Sequence, residues 1–286
     1  MKFKFQHILM ALAVPAIALL AACGDDGTTS APKPTLTFQT GAGFTFSAAQ
    51  AQVDSVMTIG MIATSNDKKL KMIQVKLSTN GGTAGVVKDT ITSAKTITWV
   101  YKYKVQGTVG DVLTLTALVT DDNGETASQS FNIEIVPPQA PVKLVQNQQV
   151  WNLQGPNKGA YDLNLEAEVG AGQPPLTKDL LDKTTSTAPI TFSKAWTSGN
   201  GTTKFVRVTK NDWDNTTNSN YLWNLYKTNA ANTTTSISNL ALGDYILVKT
   251  GQSVPFSIYI IRVDEVKDTP SDNNDYVKFS FYKADI

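Results

Sequence analysis

Apolar residues recur at every second position through the first half of the chain, from about residue 36 to residue 136. This alternation predicts half-buried β-strands, because successive side chains of a strand point to opposite faces of a sheet. The clearest runs are residues 56–62, 70–77, 96–105, 112–120 and 126–136. The turn sequence DDNG separates the last two runs and predicts a hairpin. The pattern therefore predicts an antiparallel β-sandwich over residues 35–137.

The second half is also mainly β by its pattern, with short helical interruptions. The predicted strands are residues 142–153, 161–169, 204–209, 244–249, 256–266 and 276–282. Residues 256–263 are apolar on both faces, which predicts a central strand. Helical spacing predicts one turn at residues 178–182 and a short helix at residues 219–226. The pattern favours a β-rich domain with one or two short helices, and leaves a small barrel and a sandwich as alternatives.

Prolines mark the boundary between these halves. Pro137, Pro138 and Pro141 lack the N–H that a sheet ladder requires, so we expect a stiff linker at residues 138–141. A second domain would then occupy residues 142–286. Residues 24–34, GDDGTTSAPKP, have no large apolar side chain and predict a flexible acidic tether.

The first 22 residues have the pattern of a secretory signal. Lys2 and Lys4 precede an apolar run at residues 8–20, which is shorter than the roughly 20 residues needed to span a bilayer. The LAAC sequence at residues 20–23 resembles a bacterial lipoprotein signal-peptidase site. That resemblance implies cleavage before Cys23, diacylglycerol on its sulfur and acylation of its amino group. Two or more acyl chains make a stable membrane anchor.

The acids that follow Cys23 resemble the surface-export signal of lipoproteins in Bacteroidetes-type bacteria. The resemblance implies an outer-membrane lipoprotein on the cell surface. An acidic solvated tether on the periplasmic face is the alternative.

Both predicted domains resemble parts of surface proteins. Residues 110–135 resemble the terminal hairpin of immunoglobulin-like, PKD and cadherin-like domains, although both cysteines of the antibody pattern are missing. Five segments of the second half are similar to an uncharacterised C-terminal domain of Bacteroidetes-type lipoproteins. They are GAYDL (159–163), KDLLD (178–182), GNGTTKFVRV (199–208), GDYILVK (243–249) and FSFYK (279–283). This second resemblance implies no activity.

The composition of the chain limits which catalytic and metal-binding sites it can form. His7, the only histidine, lies in the predicted signal, and Cys23, the only cysteine, would carry the lipid that the resemblance implies. Ser-His-Asp and Cys-His catalysis, His/Cys zinc sites and structural disulfides are therefore excluded from the mature chain. Loss of Lys2 and Lys4 with the signal changes the formal net charge from +1 to −1. Without a concentrated basic face, we expect no nucleic-acid partner.

Acidic residues offer two further kinds of site. Asp162, Glu166 and Glu168 alternate with apolar residues, and acids two apart on a strand have the spacing of an inverting glycosidase pair. An acidic solvated face is the more common explanation. The oxygen-rich loops at residues 121–125, 211–215 and 271–275 offer Ca²⁺ ligands, but none has EF-hand spacing and turn chemistry alone explains them. We expect no other metal or cofactor.

The richest cluster of candidate residues combines aromatic and acidic side chains. It comprises Asp212, Trp213, Asp214, Tyr221 and Trp223. Exposed rings stack on sugar C–H faces while carboxylates accept from hydroxyls, so the cluster predicts a glycan-binding platform. Packing in the core is the alternative for both indoles.

We therefore expect a non-catalytic surface lipoprotein, with a spacer domain and a C-terminal module that binds a glycan. A carboxylate glycosidase, or a structural or adhesin component of a surface complex, are the alternatives.

Overall fold

The structure is a computed structural model that describes residues 31–170, 172–185, 191–251, 257–270 and 272–285. The predicted signal, Cys23 and most of the tether lie outside the described residues. The described chain is mainly β, with sheets that are antiparallel except at one strand pair, and two short α-helices within the described ranges. No helix in these ranges is long and apolar enough to cross a membrane.

The first unit, strands β1 to β8, is a sandwich of two sheets. Its strands are β1 (Thr35–Phe38), β2 (Ala49–Gln52), β3 (Val56–Thr64), β4 (Leu70–Thr79), β5 (Gly85–Ile91), β6 (Thr96–Lys104), β7 (Val112–Asp121) and β8 (Thr126–Val136). One sheet has the order β1-β3-β6 and the other β2-β8-β7-β4-β5. Only β2, which pairs with β8, runs parallel to its neighbour among the strands of this unit. The five predicted strands and the β7–β8 hairpin are confirmed.

Alternating apolar residues of both sheets form the core of this sandwich. Ile59 and Met61 on β3 are fully buried, as are Leu115 on β7 and Ile133 on β8. These residues occupy every second position of their strands, so the periodicity of the sequence and the burial agree. Each fully buried aliphatic side chain of this size contributes about 1.5–3 kcal/mol to folding.

The second unit, strands β9 to β18 with both helices, also contains two sheets. Its elements are β9 (Lys143–Trp151), β10 (Ala160–Asp162), β11 (Ala167–Val169), β12 (Leu180–Asp182), β13 (Trp196–Thr197), β14 (Lys204–Val208), α1 (Lys210–Asp214), α2 (Ser219–Asn229), β15 (Ser236–Ile237), β16 (Tyr245–Lys249), β17 (Ser257–Lys267) and β18 (Tyr276–Asp285). The larger sheet, which has the longer strands, has the order β14-β16-β17-β18-β9, and the smaller sheet has the order β11-β10-β12-β13-β15. Both sheets are open within the described residues, so the geometry is that of a sandwich rather than a barrel.

Strand β17 lies at the centre of the larger sheet and is buried on both faces, as predicted. Tyr259 and Ile261 point into an aromatic core shared with the smaller sheet, where Trp196 and Phe279 also lie. Ile258 and Ile260 point to the opposite face, which the helices cover. The larger sheet is therefore the middle layer of the second unit.

Two local predictions were wrong, and one helix was not predicted. Residues 178–182 do not form a helical turn, because Leu181 pairs with Thr197 and Leu180 with Tyr161 in a sheet. Residues 161–169 form two short strands, β10 and β11, instead of one. Helix α1 was not predicted, although Thr209 and Asp212 have the spacing of a capping box.

The prolines lie between β8 and β9, and no ladder between named strands of the described residues joins the two units. The connecting segment is tied to the start of α2. Ala140 donates its N–H to the Ser219 hydroxyl at 2.9 Å, and Ser219 donates its own N–H to the Ala140 carbonyl at 2.9 Å. The linker is therefore hydrogen-bonded to the first residue of α2, the helix that covers the larger sheet of the second unit.

Candidate functional site

Helix α1 begins with a reciprocal cap that uses Asp212. Its Oδ2 accepts from the Thr209 N–H at 2.8 Å and from the Thr209 hydroxyl at 2.7 Å. The Asp212 N–H in turn lies 3.3 Å from the Thr209 hydroxyl oxygen. This capping box satisfies the first orphan donors of the helix. The carboxylate is therefore occupied by local structure.

Trp213 is only 7 % exposed. Its ring centroid lies 4.6 Å from that of Tyr282 and 6.1 Å from that of Tyr245. The Arg262 guanidinium lies 5.0 Å from the indole centroid, which is a favourable cation–π distance. The indole thus fills the space between α1 and the larger sheet.

The other polar members of the cluster also have internal partners. Asp214 accepts from Lys210 at 2.5 Å, one turn away, and this hydrogen bond raises the pKa of Lys210. Tyr221 lies with its hydroxyl 3.3 Å from Asp212 Oδ1. Burial, followed by the charge of Asp212, raises the pKa of Tyr221.

Trp223 is 6 % exposed and lies where α2 meets the first unit. Its Nε1 donates to Glu134 Oε1 on β8 at 3.3 Å, and Lys227 donates to the same oxygen. Gln50 on β2 donates to Glu134 Oε2 and to Asn224 Oδ1, both at 3.2 Å. We call Gln50, Glu134, Trp223, Asn224 and Lys227 the junction.

The carboxylate at the centre of the junction is held in its charged form. Burial alone would raise the pKa of Glu134, but hydrogen bonds from Lys227, Gln50 and Trp223 outweigh burial and lower it. Val109, in the loop between β6 and β7, and Val136, at the end of β8, pack in the same apolar cluster as Trp223. The junction is therefore a mixed polar and apolar contact between the two units.

The structure brings the five predicted residues onto neighbouring helices but does not present an open aromatic platform. Both indoles are buried, since Leu222 and Trp223 lie on the apolar face of α2 and Trp213 on that of α1. Asp212 and Asp214 are used in a cap and an ion pair. Both indoles pack in the core, which is the alternative that the sequence left open.

The structure corrects the prediction that Asp162, Glu166 and Glu168 lie on one face of a single strand. Asp162 is buried, and its Oδ1 accepts from the N–H groups of Asn164 and Leu165, both at 2.9 Å. Glu166 adopts a φ of 55° in the turn and pairs with Lys143 at 2.6 Å, while Glu168 lies across from Tyr161. The Asp-x-Asn turn signal explains why the strand breaks. These acids do not form a glycosidase pair on one face.

Two buried aspartates that the sequence did not single out organise the loops of the second unit. Asp179 accepts from Asn200 Nδ2 at 2.9 Å, the Thr203 hydroxyl at 2.8 Å and the Leu163 N–H at 3.0 Å. Burial nevertheless raises the pKa of Asp179. Asp182 accepts from the Leu153 N–H at 2.9 Å and the Thr184 N–H at 3.0 Å. Their partners indicate a structural role.

The oxygen-rich loops use their carboxylates for turns. Asp121 Oδ1 accepts from the N–H groups of Asn123 and Glu125, both at 2.9 Å. Asp275 Oδ1 accepts from the Thr269 N–H at 2.7 Å. Across the parts of the chain that the structure describes, no group of three or more Asp, Glu, His or Cys side chains is arranged to hold a metal ion. The Ca²⁺ expectation therefore gains no support from these loops.

A cavity of about 290 Å³ opens where β14, β16 and α2 meet. Its lining includes Gly201, Thr202, Lys204, Tyr226, Thr233 and Lys249. The sequence alone does not reveal this cavity, because Lys204 and Lys249 come together only through the β14–β16 register. A second cavity, of about 360 Å³, lies beside the junction and is lined by Gln50, Val112 and Glu134 among others.

Comparison with protein-family models and with curated protein sequences finds no match to this chain.

Proposed function

We propose that the protein is a non-catalytic lipoprotein of the outer membrane, exposed at the cell surface, that presents a binding module on a spacer. The first unit is the spacer, and the second unit is the module, with a glycan as its ligand. Cys23 and its acyl chains form the anchor, which the LAAC sequence at residues 20–23 supports.

The observation that carries the spacer-and-module part of this proposal is the junction. Trp223 and Lys227 belong to the helix that covers the second unit, and both donate to Glu134 of the first unit. Side chains that satisfy one another across an interface restrict the relative motion that short linkers otherwise permit. A spacer with a fixed junction holds the binding module at a defined orientation to the spacer.

The anchor is tested by metabolic labelling of the full chain with a radioactive fatty acid. We expect label in the wild-type chain and none in Cys23→Ala, which should be released from the membrane fraction. Treatment of intact cells with protease tests the surface location. Label that persists in Cys23→Ala, or complete protection of the wild-type chain from protease on intact cells, would contradict the respective part of the proposal.

A structural role in a surface complex is a second candidate, and the edge strand β5 favours it. Val86, Val87 and Ile91 on β5 are exposed, Ile91 by 86 %. β5 ends the five-stranded sheet, so one side of its backbone is unpaired within that sheet. Exposed apolar edges are sites for pairing with another strand. Loss of self-association or of complex assembly in Val87→Lys, with an unchanged fold, would favour this role.

A further inference from the structure

We propose that the cavity between β14, β16 and α2 binds an oxyanion, with Lys204 and Lys249 as the recognising groups. This inference rests on the proposed function, because it names the ligand class of the second unit. The ligand is a small molecule or sugar unit that carries a carboxylate, sulfate or phosphate group.

Two like charges face each other across the sheet at this cavity. Lys204, the first residue of β14, pairs with Lys249, the last residue of β16. Directly opposed like charges destabilise a pair of strands. Both side chains line the same cavity, so an anion between them would relieve this repulsion.

Lys249 is unusually buried for a lysine, with only 8 % of its surface exposed. Its Nζ donates to the Gly251 carbonyl at 2.9 Å and lies 5.8 Å from the centroid of the Tyr226 ring. Burial, followed by the charge of Lys204, lowers the pKa of Lys249. An anion bound beside the ammonium group would raise that pKa again.

The remaining described lining adds no negative charge. It contains no Asp or Glu, and Lys204 forms no ion pair with any described residue. Thr202 donates its hydroxyl to Asn200 and Thr233 donates its hydroxyl to Ala230. Each hydroxyl has one proton to donate and already donates it, whereas an ammonium group has three, so the two ammonium groups would carry recognition.

The size of the cavity and the Tyr226 ring limit the ligand. A volume of about 290 Å³ is at the low end for a small-molecule site, which suits a single sugar unit or a free inorganic anion. The half-buried ring of Tyr226 offers an apolar surface of the kind on which sugar C–H groups pack. An acidic saccharide and free sulfate or phosphate therefore share the oxyanion chemistry.

The test is isothermal titration of the full chain, purified in detergent, with sulfate, phosphate, acetate, glucuronate and glucose. Chloride keeps the ionic strength constant, because screening would otherwise mimic competition. We expect saturable binding of at least one oxyanion and none of glucose. Lys204→Met and Lys249→Met should each weaken binding about tenfold, which is the effect of losing one charge-assisted hydrogen bond.

Lys102→Met is the matched control, because Lys102 is exposed on β6 of the first unit. It should bind as the wild-type chain does. Lys204 is only half-buried, so we expect Lys204→Met to fold. This variant still tests the inference if Lys249→Met fails to fold. Wild-type protein that binds no oxyanion, or binding that Lys204→Met leaves unchanged, would overturn the inference.

The ligand series also separates the two sources. Glucuronate binding tighter than acetate would identify an acidic saccharide, whereas sulfate or phosphate binding with glucuronate no tighter than acetate would identify a free inorganic anion. Both results support the oxyanion site. Fatty-acid labelling and the junction are measured independently, so failure here would leave the anchor and the spacer standing.

Discussion

The indole of Trp223 on α2 donates to the carboxylate of Glu134 on β8 at 3.3 Å, so a helix of the second unit is hydrogen-bonded to a strand of the first. Glu134 lies near the end of β8, a few residues before the prolines. The chain thus makes a covalent and a non-covalent connection between the units at nearly the same place. Two connections close together restrict rotation about the linker more than either would alone.

Replacement of Glu134 by Gln should loosen the junction. The amide keeps the shape of the side chain but removes the negative charge of the group that accepts hydrogen bonds from Lys227 and Trp223. We expect the free energy of unfolding to fall by about 1 kcal/mol, a modest value because Lys227 is 43 % exposed and solvent screens the pair. Urea denaturation measures the loss. Glu125→Gln, in the turn at the other end of β8, should cost nothing measurable, and an equal cost at Glu125 would contradict the assignment.

The contribution of Glu134 should depend on pH in a defined direction. Its pKa is lowered in the folded chain from an ordinary value of 4.5, so its stabilising effect is complete above 4.5. The effect is lost as the pH falls through the folded-state pKa. The stability difference between wild type and Glu134→Gln should therefore shrink on acidification. A difference that grows below 4.5 would show that the carboxylate is not held in its charged form.

Gly110 should resist substitution because its neighbour is Trp223. Gly110 has a φ of 95°, and an added Cβ would lie 3.3 Å from Trp223 Cη2. Gly124 has a similar φ of 84° but open space around it. We expect Gly124→Ala to cost about 1 kcal/mol through backbone strain alone. Gly110→Ala should cost about 1 kcal/mol more, because the indole must shift. Equal losses in thermal or urea denaturation would show that the indole does not pack there.

Asp179 should be among the most sensitive polar positions of the second unit. Asp179→Ala removes the acceptor for the Leu163 N–H, Asn200 and Thr203 at once, and Asp179 is 2 % exposed. We expect the free energy of unfolding to fall by about 3 kcal/mol, since buried donors would be left unsatisfied. Asp89→Ala, on the exposed strand β5, is the control and should change stability by less than about 0.5 kcal/mol. A small effect at Asp179 would mean that water replaces the carboxylate.

Most strands could be predicted from the sequence. A strand that is buried on one or both faces has a characteristic pattern of apolar residues, and this pattern does not depend on which strands it contacts. Strand β17 is the clearest case, since its apolar residues alternate between the two faces of the middle layer. The pattern failed at residues 161–169, where the turn formed by Asp162 and Asn164 outweighs alternation. A local signal for that turn was present in the sequence.

The site could not be found in the same way. Burial of Trp223 depends on contacts with Glu134 and Gly110, which lie in the other half of the chain. The pairing of Lys204 with Lys249 depends on the register of two strands that are not consecutive in sequence. Aromatic and acidic composition indicated a binding platform, but composition does not determine which side of a helix faces the core. The domain limits 35–137 and 142–286 stay predictions.

A distance distribution between spin labels on the two units tests the fixed junction most directly. Cys23 is the only cysteine, so Cys23→Ser allows labels at Lys102→Cys on β6 and Gln146→Cys on β9, both exposed. We expect one narrow distance peak in this chain and a broader distribution when Glu134→Gln and Trp223→Ala are added. A broad distribution that these two substitutions leave unchanged would show that the units move freely, and would contradict the account of a spacer with a fixed orientation.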